Sequence, residues 1–312
     1  MNRKRLNLIL ALVALALVGV AVLSQKKPPA KGAALTALKA EAVDHIVVHH
    51  PDSADLVLQK SAGKWQLSAP VLAAADPTEV AGLSALAEQE THATLEPKEV
   101  KLADLGLDPP GFSVTLNNVK LDFGGVEPLS YRRYVQAGSR IYLIDDPAGS
   151  TVGADYAHLL SKALLPQGSS IASIAVPGLG IARTADGKGW NVTPADPHAG
   201  SDAPQKLADA WSAAQSEWNT AAPAPGSAAA GAAGTGTATV TLGNGQALVF
   251  RIVSRDPQFV LARDDLKVQY VLGAGEADRL LKLAVPPPAD KAPATAEKKT
   301  GPGTPAAPPP AQ

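Results

Sequence analysis

The chain contains no cysteine. Disulfides, thiolate zinc sites, thiol catalysis and a lipidated N-terminal cysteine are therefore excluded. A surplus of either charge is missing too: 28 basic and 29 acidic residues leave a formal net charge of -1. Proteins that neutralise phosphates carry a basic surplus, so no nucleic-acid partner is expected. There is no Gly-x-Ser-x-Gly elbow, phosphate loop or dinucleotide fingerprint, and the usual signatures of acyl transfer, nucleotide binding and hydride transfer go with them. The kinase-like "DFGG" at 122–125 stands without the rest of that constellation.

A long apolar run is present. After the basic "MNRKR", Leu6 to Leu23 is apolar except for Asn7. As a helix at 1.5 Å per residue it would span roughly 27 Å, close to the bilayer hydrocarbon. A cleaved signal peptide is the competing reading, but its apolar core is usually only about 7–15 residues. The run is read as an uncleaved signal anchor in the lipid bilayer, with residues 1-24 as cytoplasmic tip and anchor. Arg3, Lys4 and Arg5 oppose Lys26, Lys27 and Lys31, a slight bias that favours an inside N-terminus. The expected location is the bacterial inner membrane, single-pass, with the bulk of the chain on the periplasmic side. Residues 25-42, with an early Pro-Pro and later alanines, read as a juxtamembrane linker.

From 43 the pattern becomes alternating. His45 to His50, Leu56 to Lys60 and Lys64 to Ser68 predict a three-stranded meander. Asp76-Pro-Thr-Glu79 then starts a helix: Asp76 caps an orphan N–H, Pro77 fits the first helical position, and Glu79 completes an Asp-variant capping box. "KLADLGLDPPGF" predicts a short turn ended by Gly106. Two hairpins follow, Phe112–Leu116 with Lys120–Phe123 and Arg133–Gln136 with Ile141–Ile144. Tyr156 to Leu165 predicts a closing helix.

The second half repeats this order. Ile171–Val176, Ile181–Thr184 and Trp190–Thr193 answer the meander, and Asp202 with Gln205 answers the capped helix. Leu207, Trp211, Ala214 and Trp218 would form that helix's apolar stripe. An offset near 125 residues holds from Trp65/Trp190 to Tyr134/Phe259. The expected fold is α+β: an N-terminal transmembrane helix, then two related units of antiparallel β-meander, helix, β-hairpins and closing helix. The units span 43-168 and 169-285, with a disordered loop near 221-236 and a disordered Pro/Ala-rich tail at 286-312.

The segments "WQLSAP" with its following Asp76, "LADLGLDPP" and "VTLNNVKLDFG" resemble a family of bacterial proteins known as domain of unknown function 4340. The residues that carry the match are Trp65, Leu67, Pro70, Asp76, Leu105 to Pro110 and Gly124, and the resemblance covers roughly Ile46 to Leu165. It implies a membrane-tethered accessory role, often beside bacterial ABC-type export systems and gliding-type auxiliary proteins, and no substrate.

Candidate chemistry is thin. His45 and His49 are four apart, which would pair them on a helix; on a strand they lie ~13 Å apart, so metal: none. Asp145-Asp146 and Asp264-Asp265 are adjacent carboxylates at turn positions, where solvation is the ordinary role. In "SYRRYV", Tyr131, Arg132 and Arg133 are the candidate partner or ligand contact. Trp65 and Trp190 are read as core pegs, and Asp76 and Asp202 as helix caps. No catalytic constellation assembles, and no cofactor is expected. The preferred reading is a non-enzymatic accessory or scaffold subunit of an envelope complex such as an ABC-type exporter, bound to other membrane proteins. The alternative is a periplasmic ligand-binding module with a cleft between the two units.

Overall fold

The computed structural model describes residues 32–98, 100–145, 152–153, 155–223 and 236–284. The Leu6–Leu23 run, the 224–235 part of the predicted loop and the 286–312 tail lie outside the described residues. Among the described residues no helix is long and apolar enough to cross a membrane.

Antiparallel sheet dominates, with few helices. The first sheet contains β1 (His45–His49), β2 (Leu56–Ser61), β3 (Lys64–Ala69), β4 (Ala73–Ala74), β5 (Thr91–Leu95), β6 (Phe112–Leu116), β7 (Val119–Val126), β8 (Arg132–Ala137) and β9 (Arg140–Asp145). The second contains β10 (Ile171–Val176), β11 (Leu179–Arg183), β12 (Trp190–Thr193), β13 (Trp218–Ala221), β14 (Thr237–Leu242), β15 (Ala247–Ser254), β16 (Phe259–Arg263) and β17 (Val268–Leu272). Their strand orders are β4-β3-β2-β1-β6-β7-β8-β9-β5 and β12-β11-β10-β14-β15-β16-β17-β13. Strand for strand the second order repeats the first, with β4 as the one addition.

Period-2 burial explains the strands. In β1, Ile46 and Val48 are buried while His49 is exposed, and Leu56 and Leu58 do the same in β2. Helix α1 (Pro77–Ala85) covers the inner face of the first sheet with Val80 and Leu83; α2 (Ala203–Ala213) covers the second with Leu207 and Trp211. The Trp211 indole N–H donates to the Leu280 carbonyl at 2.9 Å and so fastens α2 to α3 (Glu276–Leu281).

Several expectations give way. Asp76 does cap α1, its Oδ1 accepting from the amides of Thr78 (2.8 Å) and Glu79 (3.4 Å), but the box is not reciprocal: the Asp76 amide donates to the Leu159 carbonyl instead. Asp202 stands at the start of α2 in helical backbone and makes no side-chain cap. Its carboxylate pairs with Lys206 at 2.7 Å, which holds it below the usual carboxylate range, and Gln205 receives the Trp190 indole N–H. Trp218 is not on the helix, which ends at Ala213; it lies on edge strand β13 opposite Val271. Tyr134 is half-buried and Phe259 is buried. The two lie on equivalent strands, β8 and β16, where Tyr134 pairs with Leu143 and Phe259 with Leu272.

The predicted closing helix is a 3-10 turn, Tyr156–Leu159, after which the chain runs extended from Leu160. The reason is a seam. Residues 155–165 run between the two sheets and give their backbone groups to both. On one side, Asp76 and Ser161 amides bond to Leu159 and Ala74 carbonyls. On the other, the Leu164 and Ser216 amides bond to Ala214 and Lys162 carbonyls, and the Tyr156 hydroxyl donates to the Leu266 carbonyl. Asn219, 2% exposed, closes the seam: its Nδ2 donates to the Leu160 carbonyl at 2.9 Å and its Oδ1 accepts from the Ser216 hydroxyl at 2.6 Å. Leu160, Leu164 and Leu165 belong to one buried cluster with residues of both sheets.

Residues 32–42 are also not a free linker. Leu35 is buried, the Leu35 and Thr36 amides bond to the Gln89 and Ala87 carbonyls, and the Thr91 amide bonds to the Ala33 carbonyl. Glu88 receives the Lys39 ammonium and the Ala40 amide, and Glu90 the Gly32 amide. The alanine-rich composition suggests a spacer; backbone bonds to residues 87–91 order it.

Candidate functional site

The β7–β8 connection, Val126 to Arg132, is the most distinctive surface feature. Its sequence "VEPLSYR" has no glycine, so the turn must be held by side chains. Glu127 does this. Its Oε2 accepts from the Ser130 amide (2.7 Å) and the Ser130 hydroxyl, and its Oε1 from the Leu129 amide (3.2 Å). Those bonds, the Ser130 hydroxyl foremost, keep its carboxyl below the usual range. The Glu127 amide donates to the Arg132 carbonyl and the Tyr131 amide to the Glu127 carbonyl. Within this frame Leu129 is 90% and Tyr131 77% exposed, the two highest values of any large hydrophobic side chain among the described residues. Tyr131 has φ +56, left-handed backbone that a bulky residue rarely adopts.

Tyr131, Arg132 and Arg133 do not form one binding surface. Tyr131 precedes β8, which begins at Arg132. Arg132 turns to Asp145 (Nε to Oδ1, 3.0 Å), which also accepts from His92 Nε2 at 2.8 Å. Arg132 and then His92 hold the Asp145 carboxyl below its usual range. Arg133 lies on the inner face. Its Nη1 donates to the Gly124 carbonyl at 2.6 Å and its guanidinium sits over the Phe112 ring at 5.7 Å. Phe112 is stacked in turn on Phe123 (4.5 Å) and His50 (5.4 Å). Pattern reading missed this aromatic column; His50, Phe112 and Phe123 at matching inner-face positions were the available signal.

His45 and His49 are on β1, as the β-branched run between them requires, and His49 pairs with Asp55 at 2.7 Å. Among the described residues no group of three or more His, Asp or Glu could hold a metal ion. Asp264 is bound by Arg251 and lowered by it. Asp265 is lowered as well: burial pushes it up, but the Arg263 hydrogen bond and charge prevail. Acid–base work needs a carboxyl raised toward neutrality. These are moved the other way.

Trp65 and Trp190 occupy equivalent strands, β3 and β12, and each is half-buried against the core rather than enclosed by it. The Arg183 guanidinium lies over the Trp190 ring at 4.5 Å, and the indole N–H donates to Gln205 at 2.9 Å. The enclosed tryptophan is Trp211, 0% exposed, beside Phe250 at 5.4 Å. Its place in the α2 apolar stripe was the signal for it.

The "LADLGLDPP" element now has a physical role. A 3-10 turn, Leu102–Leu105, ends at Gly106 in left-handed backbone (φ +66), and Leu107 is then buried. The turn presses on Gly124, where a Cβ would stand 2.4 Å from the Leu105 carbonyl oxygen and 2.9 Å from Leu107 Cγ. In the second unit the residue after the equivalent phenylalanine is Arg251, and the element is absent. Element and glycine occur together. Gly124→Ala should therefore destabilise by about 1–3 kcal/mol through overpacking. Gly125→Ala, whose Cβ meets the same oxygen at an ordinary 3.5 Å, is the control. Urea unfolding of both variants checks this; equal stabilities would refute the contact.

Two shallow depressions border the helices: one of about 280 Å³ lined by Pro177, Arg255, Asp278, Leu281 and Lys282, the other of about 260 Å³ lined by Val43, Lys60, Trp65, Pro77 and Ser84. Neither is lined from both sheets.

Comparison with known proteins agrees with the motif. The family model described as Domain of unknown function (DUF4340) matches residues 65–222, about half of the chain. No curated protein and no solved structure matches. The match starts at Trp65 rather than Ile46 and continues past Leu165, through the seam and α2, to the end of β13. It takes in the Leu105–Pro110 element, Gly124 and the second-unit meander, so the chain belongs to the DUF4340 family, a domain of unknown function.

Proposed function

We propose that the protein is a non-enzymatic scaffold subunit of an envelope complex, tethered to the inner membrane by Leu6–Leu23 and facing the periplasm. An ABC-type exporter is the proposed setting, and its integral membrane proteins the proposed partners. The observation that carries this reading is the seam. Residues 155–165 bond to both sheets, and the buried Asn219 of β13 donates to the Leu160 carbonyl, so the two units are presented as one body with a fixed relation. A scaffold needs that fixed relation; a binding protein that closes on a ligand needs a hinge there. Asp145 and Asp264 support the same reading, because Arg132 with His92, and Arg251, bind their carboxyls and hold them below the usual range; Asp146 lies outside the described residues.

The test is affinity purification of the full chain from membranes in mild detergent, followed by mass spectrometry. Integral membrane proteins should co-purify in constant ratio. If none does, and a small molecule raises the melting temperature of the purified chain, the scaffold reading fails in favour of ligand binding.

A further inference from the structure

We infer that the β7–β8 tip is a bilayer contact: Leu129 and Tyr131 rest at the boundary between phospholipid headgroups and acyl chains. The inference depends on the proposed anchor and specifies how the body sits above it.

Strand pairing places the tip beside the chain's point of entry. Gly32, the first described residue, is bonded to Glu90, and its neighbour Ala33 to Thr91, where β5 begins. Thr91 pairs with Ile144 on β9, and Ile144 with Arg133 on β8. Two strand spacings separate β5 from β8, about 10 Å. Arg132 and Tyr131 come directly before Arg133, so the tip leaves the sheet at the end where the chain enters.

Length completes the argument. Between Leu23 and Gly32 lie eight residues, Ser24 to Lys31. Fully extended, they let Leu23 and Gly32 stand at most about 32 Å apart. A body held so closely, by a tether that joins it roughly 10–20 Å from the tip, brings the tip within reach of the membrane surface.

The chemistry fits that surface. Tyrosine is favoured at membrane interfaces because its ring is apolar and its hydroxyl polar. An exposed leucine beside it supplies apolar area that water disfavours. The loop is fixed before contact by Glu127, so little ordering accompanies it. Nearby charges argue against an electrostatic contact. Arg132, His92 and Asp145 are engaged with one another, His49 with Asp55, and Glu90 and Glu127 accept from backbone amides. The contact is therefore apolar and independent of anionic lipid.

The absence of native cysteine makes the test direct. The full chain, reconstituted in phosphatidylethanolamine/phosphatidylglycerol vesicles, is labelled with an environment-sensitive nitrobenzoxadiazole dye at Leu129→Cys, at Ala62→Cys in the β2–β3 turn at the opposite sheet end, and at Val13→Cys within the apolar run. Nitroxide-labelled lipids are the quencher. The dye at 129 should be blue-shifted and quenched, in zwitterionic and anionic vesicles and at high salt alike, and the dye at 62 should be neither. Quenching at 13 without quenching at 129 overturns the tip contact and leaves the anchor standing. Absence of quenching at 13 overturns the anchor itself. A blue shift at 129 without lipid quenching also overturns the inference, and assigns the tip to a protein partner.

Discussion

Trp211→Ala should destabilise the protein by about 3–5 kcal/mol, the range for truncating a fully buried aromatic side chain. The side chain is 0% exposed and packs against Phe250, which in turn meets Tyr270 edge-on at 6.3 Å. Its indole N–H satisfies the Leu280 carbonyl, so alanine leaves both a cavity and a buried carbonyl without its donor. Trp65 and Trp190 differ in kind: each keeps one side in solvent, and alanine there should cost clearly less. Urea unfolding of the three variants ranks them. A Trp211 variant that loses less than about 1 kcal/mol would show that the second unit's core does not depend on the α2–α3 fastening.

Asn219→Ala should cost about 2–4 kcal/mol and loosen the two units from each other. The amide satisfies the Leu160 carbonyl and the Ser216 hydroxyl at a site that solvent barely reaches. Because those partners belong to the seam, unfolding should become less cooperative, with a calorimetric enthalpy exceeding the van't Hoff value. Asn219→Asp sharpens the test. An ionised carboxylate facing the Leu160 carbonyl is repelled, whereas the protonated acid can donate to it, so the folded-state pKa is raised above the unfolded value of roughly 3.9. Stability is then fully present below the unfolded pKa and lost as pH rises through the folded one. The penalty relative to wild type should be small near pH 4 and large at pH 7. A pH-independent penalty with a single sharp transition would refute the role of Asn219 as the closure of the seam.

The meanders, hairpins and the Asp76 cap were readable because each follows from short-range rules: alternation, turn residues and an acceptor before a proline. Edge strands β5 and β13 were not. Thr91–Leu95, "THATL", is largely exposed and carries no apolar alternation; its strand state comes from pairing with β9. Trp218 stood at helical spacing from Trp211 by coincidence, while the helix ends where Ala214 turns extended. The Tyr156–Leu165 segment has helical propensity, but both sheets offer its backbone partners, and tertiary pairing outweighs propensity. At the candidate site, Tyr131 and the arginines were visible as unusual residues. Their separation was not, since it depends on a left-handed residue ahead of the strand and on a carbonyl and a ring contributed by other strands.

The strand order also governs the sequence of folding events. β5 leaves the ribosome before β6, yet its one ladder partner, β9, emerges about 50 residues later. β13 waits similarly for β17. In each unit a short strand thus waits without its ladder partner, and closure of each sheet awaits its last hairpin. Such non-local pairing slows folding and prolongs exposure of unpaired backbone. The polar composition of "THATL" suits that interval: a strand that must wait unpaired is safer when it offers other chains little apolar surface to join.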